Sequence, residues 1–154
     1  MHDQRALVRR PSPRLTEGLL THLERQPIDV GRAVRQWEHY RATLEANGWE
    51  TIEAPSAEDC PDSVFIEDTM VTYADVAVIA NPGASGRRAE IPGAELAVRS
   101  LGYRIARIAA PGTLDGGDVL KHDRTVWVGI GDRTNSEGAR QLAAALEPLG
   151  AQVV

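Results

Sequence analysis

The sequence predicts an α/β domain assembled from a repeated strand–strand–helix–strand unit. Three observations lead there. A chain of 154 residues, 42% of them apolar and 25% charged, has the material for one globular domain with a sizeable core. A helix stopped by glycine and followed by a strand recurs at Gly48, Gly102 and Gly150. Two acidic segments of similar design, residues 61–69 and 114–120, each run straight into a strand.

Taken in order, Ala6-Leu7-Val8 is a short strand, ended by the charged and proline-rich run from Arg9 to Pro13. Residues 11–29 mix Pro, Gly, Thr and charge around Leu15, Leu19 and Leu20, which predicts a long loop with a short helical piece, suited to act as a lid. Asp29 is placed to cap a helix reaching Asn47, because Ala33, Trp37, Tyr40 and Leu44 recur at helical spacing. That spacing puts Trp37 and Tyr40 in the core. Trp49 to Ala54 is the next strand. Met70 to Tyr73 and Val76 to Ile79 form a hairpin, Arg87 and Arg88 precede a helix over 93–101, and Tyr103 to Ile108 returns as a strand. The cycle then restarts, with strands over 118–120 and 125–128, Arg133 in a loop, a helix over 135–149 and a strand over 151–154. Trp127 is expected to pack within its hairpin. The period is roughly fifty residues, in the range of an internal repeat. Equivalent places then fall to Asp68 and Asp118, and to Arg87 and Arg133.

The acidic segments carry the functional signal. Asp62, Glu67 and Asp68 flank the apolar triplet Val64-Phe65-Ile66, and Asp115 and Asp118 flank Gly116-Gly117. Carboxylates beside buriable side chains must stay hydrated, pair with cations or hold a cationic ligand. Two such segments in one small domain predict a cation-binding site. The formal net charge of −5, from 17 basic against 22 acidic residues, argues against nucleic acid or an anionic membrane as the main partner. No apolar run approaches the roughly 18–20 residues of a membrane span, and a cytoplasmic location is expected by default. Cys60 is the only cysteine, so a structural or incidental thiol is expected. His2, His22, His39 and His122 lack a catalytic setting.

Four motifs in sequence carry a resemblance. They are Pro61-Asp62-Ser63-Val64-Phe65-Ile66-Glu67-Asp68, the run from Pro82 to Glu90, Leu114-Asp115-Gly116-Gly117-Asp118-Val119-Leu120, and Arg133-Thr134-Asn135. Together they resemble the dimethylarginine dimethylaminohydrolase family of the guanidine-modifying, or pentein, superfamily. The resemblance implies a pentein-type α/β propeller of ββαβ modules, of which residues 1–154 supply roughly three of five as a single, truncated domain. It implies hydrolysis of asymmetric dimethylarginine or monomethylarginine to citrulline plus an alkylamine, through a covalent Cys intermediate and without cofactor or metal. Asp68 and Asp115 would contact the guanidinium nitrogens, Asp115 as the catalytic orienting carboxylate. Glu67 and Asp62 would line the same pocket, Asp62 toward the α-amino end. Arg87 and Arg133 would clamp the α-carboxylate, and Leu20 would close over the amino-acid moiety. The register stays open between Arg87 and Arg88, and between Leu19 and Leu20. Relatives usually carry Arg where this chain has Asn81. The family's catalytic His, in a His-Leu-Lys-Ser segment, and its nucleophilic Cys have no counterpart here. The chain alone is therefore expected to be an inactive portion, accompanied by the missing modules or by a second copy of itself. Two alternatives stand beside this reading: another guanidine hydrolase such as an arginine deiminase, and a non-catalytic module that binds arginine analogues.

Overall fold

The computed structural model describes residues 4–20 and 22–154. The lid expected over 11–29 is described except for Thr21, and His2 lies outside the described residues. The chain divides into two compact units, Met1–Ile66 and Glu67–Val154.

In the first unit, β1 (Arg5–Val8) pairs in parallel with β2 (Glu50–Glu53), and α1 (Val30–Ala46) connects them. The expected cap is present: Asp29 accepts a hydrogen bond from the Arg32 N–H at 2.9 Å, which satisfies one of the open donors of the first turn. Trp37 is the buried residue of α1, with the guanidiniums of Arg10 and Arg41 at 5.7 and 5.1 Å from its ring centroid. Tyr40 differs from expectation and lies 55% exposed. Three residues turn a helix by about 300°, so Tyr40 sits some 60° round from Trp37, enough to leave a narrow apolar stripe. Among the described residues between β1 and α1, the chain makes a short 3-10 turn, Leu15–Glu17.

The second unit contains the repeat, and the two copies share one topology. β3 (Met70–Tyr73) and β4 (Val76–Ile79) form an antiparallel hairpin, α2 (Ile91–Ser100) crosses over, and β5 (Arg104–Arg107) pairs in parallel with β4. β6 (Val119–His122) and β7 (Thr125–Val128) form the second hairpin, α3 (Ser136–Leu146) crosses over, and β8 (Gln152–Val153) pairs in parallel with β7. The helices close at Gly102 and, after a 3-10 turn over Glu147–Leu149, at Gly150. Both glycines are left-handed, with φ of 87° and 90°, as is Gly48 in the first unit at 84°. This conformation costs glycine nothing and every side chain something.

One core serves both copies. Val71, Val76, Val78 and Ile108 from the first copy pack with Leu114, Val126, Leu142, Leu146 and Ala151 from the second. β4, buried along its whole length, is the middle strand of its sheet, which explains its continuous apolar sequence. Trp127 faces Leu120 across the second hairpin, as expected, but remains 40% exposed. Among the described residues no helix is long and apolar enough to cross a membrane.

Candidate functional site

The acidic segments meet within the second unit because glycine lets them. Gly116 lies so close to the backbone carbonyls of Glu67 and Met70 that a Cβ there would collide with both oxygens. Its neighbour Gly117 donates its N–H to Asp68 Oδ1 at 3.0 Å. The Gly116-Gly117 pair is therefore a point of close approach between the two segments, and the short 3-10 turn Gly116–Asp118 leads from it into β6. The sequence showed two glycines in an acidic run; which backbone they admit is a tertiary fact.

Asp115 is held from three sides. Its side chain is 4% exposed; Oδ1 accepts the Gly83 N–H at 3.2 Å, and Oδ2 lies 3.5 Å from Arg133 Nη1. Thr134, fully buried, accepts the Asp115 N–H at 3.1 Å through its hydroxyl and donates that hydroxyl to Asp118 at 2.6 Å. Asp118 thus braces the turn, the structural role expected for it. Asn135 accepts from the Thr113 N–H at 3.0 Å and caps α3 by accepting from Gly138 at 2.8 Å. Asn81 ties the same loop by donating to the Gly112 carbonyl at 2.6 Å. Sequence reasoning noted Thr134 and Asn135 only as parts of a motif. Their polarity next to an arginine in a loop was the available signal.

Burial is the largest influence on the Asp115 carboxyl and raises its pKa above the ordinary 3.8. The neighbouring Asp68 charge acts in the same direction, while the Gly83 N–H, Arg133 and Arg87 oppose it. A folded-state pKa above the unfolded one means that the folded chain binds more proton in that window. The contribution of Asp115 to stability is then fully present below the unfolded value and is lost as pH rises through the raised value. Asp115→Asn keeps an acceptor for Gly83 and removes the buried charge. It is expected to be more stable than the parent at neutral pH, with the difference closing in acid. Denaturant midpoints over a pH series check this; a variant less stable at neutral pH contradicts it.

Arg87 and Glu90 lie on the 3-10 turn Ser85–Glu90. Three residues per turn bring positions i and i+3 into line on one edge. Here that edge faces inward, with the Arg87 and Glu90 side chains 4% and 1% exposed, while Arg88 points outward. Of the two arginines between which the register stayed open, Arg87 is the one that faces inward. Glu90 takes two nitrogens of the guanidinium side-on, Nε to Oε1 at 3.0 Å and Nη2 to Oε2 at 2.7 Å. Nη1 donates to Asp68 Oδ2. Burial works against the charge of Arg87, but the hydrogen bonds it donates to Glu90 and Asp68 outweigh it and hold the guanidinium protonated well beyond its usual range. Arg87 was expected to meet a substrate carboxylate, yet here it meets two carboxylates of its own chain. Arg133, with a side chain 34% exposed and one long contact to Asp115, is the more accessible cation. Asp68 is 18% exposed and Glu67 is exposed.

In the first unit, both oxygens of Asp62 accept the Leu19 N–H, at 3.2 and 3.0 Å. Leu15, Leu19, Leu20, Leu23, Asp62 and Phe65 line an apolar cleft of about 290 Å³. Leu19 and Leu20 are about equally exposed on it, so the geometry leaves both facing the cleft. Cys60 is buried, while His22 and His39 are exposed. The second unit has no cysteine, and its histidine, His122, is 78% exposed beside the hairpin turn.

Repeated hairpin–helix–strand modules, each closed by a parallel strand, give the chain the pentein fold shared by guanidine-modifying proteins. Within that class the chain matches dimethylarginine dimethylaminohydrolases along its whole length. It is 57% identical over 154 residues to the N(G),N(G)-dimethylarginine dimethylaminohydrolase of Streptomyces coelicolor, covering 100% of the chain and 60% of that protein. It is 36% identical over 145 residues to the enzyme of the same name from Pseudomonas aeruginosa, covering 94% of the chain and 57% of that protein. The structure of a cysteine-to-serine variant of the Pseudomonas aeruginosa enzyme in complex with citrulline superposes with a TM-score of 0.92 at 34% identity, over 100% of this chain and 61% of that one. A cyanobacterial arginine dihydrolase domain shares the fold, with a TM-score of 0.82 at 21% identity over 99% of this chain and 57% of that one. No protein-family model matches the chain. The chain spans about three fifths of the length of the dimethylarginine dimethylaminohydrolases it matches.

Proposed function

We propose that this chain supplies the substrate-binding carboxylates and arginines of a methylarginine hydrolase, an enzyme that converts asymmetric dimethylarginine or monomethylarginine to citrulline plus dimethylamine or methylamine. The observation that carries the proposal is the junction of the two acidic segments at Gly116-Gly117, which places Asp68 and the buried Asp115 within electrostatic reach of one another. Two carboxylates so close are costly until a cation stands between them, and a planar guanidinium offers each a charged N–H edge.

In this reading Asp68 and Asp115 hold the guanidinium protonated and oriented, with Glu67 at the margin. Arg133 takes the α-carboxylate, joined by Arg87 through the edge it shares with Asp68. The covalent step needs a thiolate that attacks the guanidinium carbon and a base that moves protons to the departing amine and from water. This reading gives no part in that step to the buried Cys60 or to His122, which is exposed beside a hairpin turn, and assigns the chain binding and orientation. The named relatives, and the citrulline bound to one of them, support the same chemistry.

Titration calorimetry with asymmetric dimethylarginine tests the proposal. Asp68→Asn preserves shape and removes charge. It is expected to weaken binding by about one to two decades, the worth of a charge-assisted hydrogen bond of about 1.5–3 kcal/mol. Unchanged affinity in that variant, or no binding by the parent chain, would remove the guanidinium from this pocket. L-arginine titrated in parallel separates a methylarginine hydrolase from an arginine hydrolase by which ligand binds tighter.

A further inference from the structure

We infer that Glu90 is a positioning residue for the guanidinium pocket, acting on Asp68 through Arg87. The inference rests on the methylarginine reading above. It starts from the number of edges a guanidinium has. Arg87 is a planar fork whose Nε–Nη2 edge is fully taken by the bidentate pair with Glu90. That pair fixes the plane of the guanidinium and leaves Nη1 to address Asp68 Oδ2. The other oxygen, Oδ1, is held by the Gly117 N–H at 3.0 Å. Asp68 is thus gripped at one lone pair of each oxygen, in a single orientation, with its outward side still reached by solvent.

Charge balance gives Glu90 a second effect. Arg87 faces the carboxylates of both Glu90 and Asp68, so its single positive charge does not cancel both, and Asp68 keeps negative charge to offer a ligand cation. Without the Glu90 charge, the buried Arg87 turns more fully to Asp68 and draws it into a two-nitrogen pair. Asp68 would then be neutralised internally, and a ligand guanidinium would have to compete with one belonging to the protein.

The 3-10 turn Ser85–Glu90 sets Arg87 and Glu90 on one edge, and that edge faces inward, so the pair is buried.

The test uses two ligands and one spectroscopic probe on the whole chain. In nitrogen-15 NMR of the parent, the Arg87 Nε–H resonance is expected to be protected from solvent exchange, and to keep its shift and protection when asymmetric dimethylarginine is added. An unprotected Nε–H, or one released by the ligand, overturns the inference without any substitution. Glu90→Gln is then compared by calorimetry with asymmetric dimethylarginine and with citrulline, whose ureido group carries no charge. The expected loss is about tenfold or more for dimethylarginine, the scale of a charge-assisted contact, and much smaller for citrulline. Equal losses for both ligands would mean a merely structural role and would overturn the inference, as would no loss for either. If the parent binds neither ligand, the functional reading fails, while the Nε–H measurement still decides the clamp itself.

Discussion

Replacing Arg87 with methionine is expected to lower the stability of the chain by about 3–5 kcal/mol, the cost of leaving a buried carboxylate without its cation. Glu90 is 1% exposed and gives both oxygens to Arg87, so it cannot recover its charge partner from water without unfolding the turn. Asp68 contributes less to the loss because it is partly hydrated and keeps the Gly117 N–H. Urea titration of the parent and the variant measures the effect. Replacing both partners, Arg87→Met with Glu90→Leu, is expected to recover most of it, since two apolar side chains of similar volume leave no charge to desolvate. A double variant no more stable than Arg87→Met alone would show that the loss comes from packing and not from charge.

Leu142→Ala is expected to cost about 2–5 kcal/mol, the range for truncating a fully buried leucine in a core that can only partly collapse. Leu142 is 0% exposed and joins α3 to the strands of both copies through the shared cluster. The effect should extend beyond stability. α3 begins at the Asn135 cap, which also holds Thr113, and Thr134 beside it holds the Asp115 backbone. A loosened α3 therefore loosens the hold on Asp115. Hydrogen exchange at the Leu114 and Asp115 amides, read alongside thermal unfolding, checks both parts. Faster exchange throughout the unit, with those two amides following the rest, would confine the effect to global stability.

Most of the local structure was legible in the chain because it depends on neighbours in sequence. Asp29 and Asn135 stand where helices begin, since a short side-chain acceptor satisfies an open N–H two or three residues on. Gly48, Gly102 and Gly150 stand where helices end, since the left-handed residue there has no Cβ to clash. Both hairpins of the second unit and the repeated order of elements followed from apolar alternation. The acidic segments marked the candidate site, because carboxylates next to buriable residues need a reason.

Tertiary structure decided what no spacing could express. Only the fold shows that Arg87, and not Arg88, turns inward, because the choice depends on a 3-10 turn whose three-residue period aligns it with Glu90. Tyr40 shares a helical spacing with Trp37 yet lies outside, because helical phase alone does not say how wide a stripe the neighbouring strands cover. The two glycines of residues 116–117 could have been an ordinary bulge in the sequence. They became the junction of the candidate site because the backbone of a segment about fifty positions away passes too close to Gly116 to admit a Cβ. Sequence sets which residues can carry charge, cap a helix or turn the chain. Which charges share a buried volume, and therefore how each is balanced, is settled only when distant segments are brought together.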